Sequence, residues 1–259
     1  MLSVNNYATR MKVFLYALPF LLILASCSKD GSSSPSPGSG IAGSTARFTI
    51  SGNTLYTVSS TALQAYNITT SSVPQKGSKT QLGFGVETIF PYGNNLFIGT
   101  QTGMYIYDIN QPNAPKSVGL YTHVLSCDPV VVQGKYAFVT TRSGTNCRNQ
   151  SVSVNNLDVI DISNLASPRL LRSYPMTNPH GLGVDGNLLF VGEGEYGLRV
   201  LDISDPLNIR ELEYFLNTKT YDVIPDKKQL IVTGPNGIYQ YSYADLTQLK
   251  LLSTIPVQP

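Results

Sequence analysis

The sequence predicts an all-β fold, a β-propeller of five four-stranded blades. Three observations predict it. A unit recurs along the chain from residue 46. Each unit contains short apolar, β-branched runs separated by Gly-Asn or Asp-containing turns. No stretch beyond residue 26 sustains the 3.6-residue period of an amphipathic helix. Measured on the turn residues Asn67, Asp108, Asp161, Asp202 and Ser242, the spacings are 41, 53, 41 and 40 residues. A fixed period of this size marks radial or stacked repeats. Coils of a β-solenoid are shorter, and a β-sandwich needs no period.

Within a unit, the first strand runs to a tight hairpin. Gly52-Asn53, Gly93-Asn94 and Gly186-Asn187 supply the positive φ it requires. The second strand returns through segments such as Leu96–Gly99 and Leu188–Gly192. The third follows, as in Leu198-Arg-Val-Leu-Asp202, and ends on a residue whose side chain bonds backbone just downstream. Pro74, Pro115, Pro168 and Pro206 then fall in the connection to the fourth strand, where no ladder donor is lost. The first unit opens with its own innermost strand, and Leu249–Ile255 reads as the last outermost strand. No strand is left to lock the ring. Closure is therefore expected through face-to-face packing of Phe48 or Leu55 on the last blade.

The pattern Gly197-Leu-Arg-Val-Leu-Asp-Ile-Ser-Asp-Pro206 resembles the repeat of the LVIVD family, whose members are predicted propellers common on secreted bacterial proteins. The resemblance runs over residues 46–258. It is fullest at 178–217 and weakest in the end units, where Asn67 and Ser242 replace the turn aspartate. It implies a propeller in an extracytoplasmic setting and no particular activity.

Residues 13–26 form an apolar run preceded by Arg10 and Lys12. The run is shorter than the ~20 residues a spanning helix needs. It reads as the h-region of a signal peptide covering residues 1–26, with Met1 or Met11 as the start. Leu24-Ala-Ser-Cys27 resembles the lipobox of bacterial lipoproteins, in which the cysteine is acylated after cleavage. This implies lipid attachment at Cys27 and a cell-envelope address. Ser28 after the cysteine suggests the outer membrane by analogy with enterobacterial lipoproteins. Residues 27–45 are rich in Ser, Gly and Pro and read as a tether to the 46–258 propeller. Once residues 1–26 are removed, 16 basic and 16 acidic side chains remain. Charged residues make up only 13% of the chain. That balance argues against nucleic acid as a partner. A membrane would be held through acyl chains, not surface charge.

In a propeller, first strands begin on the same face as the loops joining second and third strands. Alignment of the units brings Ala46-Arg47, Glu87-Thr88, Asp128-Pro129, His180-Gly181 and Tyr221-Asp222 to equivalent starting positions. The flanking residues Phe48, Ile89, Val131, Leu182 and Val223 are apolar. Arg47, Glu87, Asp128, His180, Tyr221 and Asp222 are thus candidate ligand-binding residues around the channel mouth. The ligand is expected to be a glycan or a protein partner. Alternatively the ring lines a wet channel, with Arg47 paired to Glu87 or Asp222. A hydrolase using Glu87, Asp128 and Asp222 is a second alternative, because glycosidases work with two carboxylates. A structural subunit of an envelope assembly is a third. His123, Asp128 and His180 share the face, but their spacing matches no metal motif. No catalytic residue, metal site or cofactor is assigned. The third unit carries a polar insertion, residues 141–156. In an oxidising compartment Cys127 and Cys147 are expected to form a disulfide that holds this loop over the mouth.

Overall fold

In a computed structural model, residues 43–70, 72–122, 129–143 and 154–257 are described, all within one compact unit, Pro37–Pro259. Blade 1 consists of β1 (Phe48–Ser51), β2 (Thr54–Val58), β3 (Ala62–Asn67) and β4 (Gln75–Gln81). Blade 2 has β5 (Val86–Tyr92), β6 (Asn95–Thr100), β7 (Gly103–Asp108) and β8 (Lys116–Thr122). Blade 3 has β9 (Val130–Gln133), β10 (Tyr136–Thr141), β11 (Asn156–Asp161) and β12 (Arg169–Pro175). Blade 4 has β13 (Leu182–Asp185), β14 (Leu188–Gly192), β15 (Leu198–Asp202) and β16 (Arg210–Phe215). Blade 5 has β17 (Asp222–Asp226), β18 (Gln229–Gly234), β19 (Gly237–Ser242) and β20 (Lys250–Pro256). Each blade is an antiparallel four-stranded sheet in chain order, and no helix occurs among the described residues.

Local chemistry repeats from blade to blade. The first hairpin turns on Gly52, Gly93, Gly134 and Gly186, all with φ between 56° and 61°. Blade 5 makes the same turn with Lys227 and Lys228, at φ 47° and 64°. All five expected turn residues accept from the amide two positions on: Asn67 from Thr69, Asp108 from Asn110, Asp161 from Ser163, Asp202 from Ser204 and Ser242 from Ala244. Arg169 and Arg210, each eight residues beyond an aspartate, pair with Asp161 and Asp202. In every blade the third and fourth strands slip register once, between Gln64 and Tyr66, Ile106 and Tyr107, Val159 and Ile160, Val200 and Leu201, and Gln240 and Tyr241. Such irregularities sharpen the twist that blade stacking needs.

Among the described residues the core is four apolar layers, one between each pair of consecutive blades. Tyr56, Leu63 and Ala65 of blade 1 pack on Ile89, Leu96 and Ile98 of blade 2. Phe97, Met104 and Ile106 pack on Val130, Ala137 and Val139 of blade 3. Phe138, Leu157 and Val159 meet Leu182, Leu189 and Val191 of blade 4. Phe190, Leu198 and Val200 meet Val223, Leu230 and Val232 of blade 5. Val130, not Val131, is the residue equivalent to Ile89 and Leu182, because it faces Val139 as they face Ile98 and Val191.

The expected packing of the last blade on the first is not found. Among the described residues, no apolar layer joins blade 5 to blade 1. Phe48 holds the position of the buried Ile89, Val130, Leu182 and Val223, yet it is 58% exposed. On the far face of blade 5, Ile231 and Ile238 occupy the positions of Phe190 and Leu198, and each is 40% exposed. The five blades form an arc with two bare ends. The link across it is polar. Ser44 and Thr45, assigned from composition to the tether, donate to the Asp222 carboxylate at 3.3 and 2.5 Å. Ser44 is fully buried, and its hydroxyl also accepts from the Leu182 amide at 2.7 Å. Packed structure therefore already includes residues 43–45, just before the expected boundary at residue 46.

Candidate functional site

At the end of the channel where the first strands begin lies a cavity of about 490 Å³. The register that places Ile89, Val130, Leu182 and Val223 in apolar layers brings one or both of the residues preceding each to this mouth, and Arg47, before Phe48, joins them. Of the candidate residues, Arg47, Glu87, His180 and Tyr221 line the cavity. Asp222 does not. It sits behind Gly181, so close that a Cβ there would collide with its carboxylate. Burial pushes its carboxyl above the ordinary range, against bonds from Thr45, Val223 and Ser44. Its role is to fasten the 43–45 segment. Asp128, Cys27, Cys127, Cys147 and His123 lie outside the described residues.

Arg47 is not paired with Glu87 or Asp222 by any described contact. Its guanidinium donates to the Val86 carbonyl at 2.6 Å. Glu87 accepts a 3.4 Å bond from the Gln101 amide. Tyr221 is clamped: its hydroxyl donates to Glu195 at 2.6 Å, and Glu195 also pairs with Lys219. The Glu195 bond raises the Tyr221 pKa, so the phenol stays protonated. The ring leans against His180, centroids 5.2 Å apart and tilted by 46°.

His180 is fixed on all sides. Its backbone amide donates to the Gly192 carbonyl at 2.7 Å, and its carbonyl accepts from the Thr140 hydroxyl at 2.6 Å. Its Nε2 lies 2.9 Å from Arg142 Nη1. A guanidinium only donates, so Nε2 is an acceptor and the ring is neutral. Gly194, at φ 60°, is required beneath it: a Cβ would stand 2.6 Å from Nε2. Burial first, and Arg142 second, lower the His180 pKa from 6.5 to about 4. The folded ring stays neutral where the unfolded chain takes up a proton. The contribution of His180 to folding stability is therefore expected to fall as pH drops from 6.5 toward 4 and to change no further below that. Melting temperatures of wild type and His180→Gln across that range check this. A wild-type slope no steeper than the variant's contradicts it.

Sequence reasoning missed Thr45, Ser60, Phe84, Gln101 and Arg142, which also line the cavity. Ser60, Gln101 and Arg142 are one set, each lying just past the second strand of blade 1, 2 or 3. The alignment that found the first ring, carried to that position, finds this second one. Phe84, in the connection between blades 1 and 2, has no repeat signal. It is 78% exposed on the rim. Behind the mouth, Glu193 is fully buried. It accepts from the Thr177 and Asn178 amides and from Arg199 at 2.7 Å. This holds the segment that leads into His180.

Comparison with known proteins agrees with this architecture. Residues 151–176 and 180–216 match the LVIVD repeat family. No curated protein matches the chain. Among solved structures, a protein from Lactobacillus plantarum superposes with TM-score 0.62 at 13% identity, over 80% of this chain and 69% of its own. A functionally unknown protein from Desulfotomaculum acetoxidans gives 0.61 at 13%, over 85% and 69%. The periplasmic gluconolactonase of Pseudomonas aeruginosa gives 0.58 at 14%, over 80% and 68%. At these identities the likeness is one of fold.

Proposed function

We propose that this LVIVD-repeat propeller is a binding module, anchored in the cell envelope through acylated Cys27, that takes a glycan at the mouth of its channel. The observation that carries the reading is the cavity itself. Its volume falls within the range of small-molecule sites, ~300–1,000 Å³. It is lined by residues of all five blades and combines a clamped aromatic ring with hydroxyl, amide and charged groups. Aromatic faces pack against the C–H face of a sugar, while the polar groups receive its hydroxyls. The hydrolase alternative loses one of its three carboxylates, since Asp222 is engaged with Ser44 and Thr45 and does not line the cavity, and would rest on Glu87 and Asp128.

Two experiments test the reading. Wild type is expected to bind members of a glycan panel, and Tyr221→Ala to weaken that binding roughly tenfold or more, since stacked aromatics carry much of a site's affinity. No binding by wild type, or equal binding by the variant, contradicts the site. Labelled fatty acid is expected in wild type and not in Cys27→Ser. Label retained in the variant contradicts the anchor.

A further inference from the structure

We propose that the bare outer face of blade 5 binds the bare outer face of blade 1 in a second copy of this chain, head to tail.

The two faces are the halves of a junction that the protein builds four times. At each internal junction an aromatic residue of one blade's second strand shares a layer with an aliphatic residue of the next blade's first strand. The pairs are Tyr56 with Ile89, Phe97 with Val130, Phe138 with Leu182 and Phe190 with Val223. Their counterparts at the free ends are Ile231 and Phe48. The ring has moved to the other partner, yet the pair still holds one ring and one aliphatic side chain. Apolar packing tolerates exchanges that keep the total volume. Two blade 5 faces would bring no ring to this place, and two blade 1 faces would bring a second one.

The rest of each half is present as well. On blade 5, Ile224, Ile231, Ile238 and Ile255 share one face, one from each strand. On blade 1, Phe48, Ile50, Leu55 and Tyr66 share the face turned away from blade 2. Ile68 follows β3 as Ile109, Ile162 and Ile203 follow β7, β11 and β15. Those three are buried in the layer toward the preceding blade, whereas Ile68 is half-buried and enters no layer. Contiguous apolar surface of this kind marks an interaction site. Within one chain the halves do not meet. The polar segment 43–45, fastened to Asp222 at the start of β17, runs directly into β1 and takes the place at the hub where the two blades would touch. Phe48 is 58% exposed although it lies on an innermost strand, so its face is open down to the hub. A contact between unlike faces is heterologous and joins copies into a chain or a ring.

Sedimentation velocity over a roughly hundredfold range of concentration tests the proposal, since association follows mass action. Wild type is expected to form species larger than one chain as concentration rises. Ile231→Arg and Phe48→Arg are each expected to weaken association about tenfold or more, because a guanidinium buried there would lack a partner. Mixed in equal amounts, the two variants are expected to form pairs and nothing larger, as each keeps the half that the other has lost. Urea denaturation in dilute solution checks that both are as stable as wild type. Ile231→Gln and Phe48→Gln, which add no charge, replace them if an arginine unfolds its blade. One variant associating alone at wild-type strength shows like faces pairing and overturns the head-to-tail contact. Failure of the two variants to pair on mixing overturns it too, as does association that survives both substitutions. A wild type that stays single overturns the proposal outright. Variants that then lose stability show the face covered by the protein's own chain, and variants that do not leave it for a different partner.

Discussion

Phe190→Ala is expected to destabilise the protein by about 3–5 kcal/mol, the usual cost of removing a buried phenyl ring from a core. Phe190 is fully buried between blades 4 and 5, edge-on to Tyr243 with ring centroids 4.9 Å apart. Ile231→Ala, at the repeat-equivalent position of blade 5, is expected to cost less than about 1 kcal/mol, as at a position no neighbour covers. Urea denaturation of the two variants checks this. The contrast follows from the open arc: the same position in the repeat is core in one blade and bare in the next. A comparable loss at Ile231 would mean that its face is covered after all. Phe48, on the other bare end, is expected to behave like Ile231.

The second large effect is expected at Glu193. Replacing it with alanine is expected to cost about 2–4 kcal/mol, since removing one partner of a buried ion pair strands the other and leaves donors unmet. Arg199 keeps Glu211, which moderates the loss. The amides of Thr177 and Asn178 keep no such substitute among the bonds described for them. Glu193→Gln is expected to lose less, because its amide oxygen still accepts. Both variants are also expected to weaken ligand binding, because the segment they release leads to His180. Stability and affinity measured together test the link. A destabilised Glu193→Ala with unchanged affinity would separate Glu193 from the site.

The fold was legible because the repeat is chemical as well as periodic. Asp108, Asp161 and Asp202 end three strands alike, and the residues that replace them, Asn67 and Ser242, accept the same bond. The first ring of the site was legible for the same reason: Arg47, Glu87, His180 and Tyr221 each lie within two residues of an apolar anchor in register. The slip from Val130 to Val131 arose where three consecutive valines leave no alternation to count. The open end was hidden because Ile231 and Ile238 are as apolar as Phe190 and Leu198, and alternation does not say whether a face is covered. The one hint is Gln240, which stands where Ile106, Val159 and Val200 stand in other blades and bonds Gln229 and Ser253. Ser44 and Thr45 read as tether because their composition is that of a tether. Only the position of Asp222 makes their hydroxyls a fastening.

The central claim is that ligand binds at the channel mouth, at the end opposite the hairpin turns. Amide chemical shifts of the ¹⁵N-labelled protein, followed while members of the glycan panel are added, test it most directly. Gly85 and Gly181 line the mouth, whereas Gly52, Gly93, Gly134 and Gly186 turn the hairpins at the far end. Shifts are expected at Gly85 and Gly181 and none at the four hairpin glycines. Shifts confined to the hairpin glycines, or no shifts with any member of the panel, would contradict the claim.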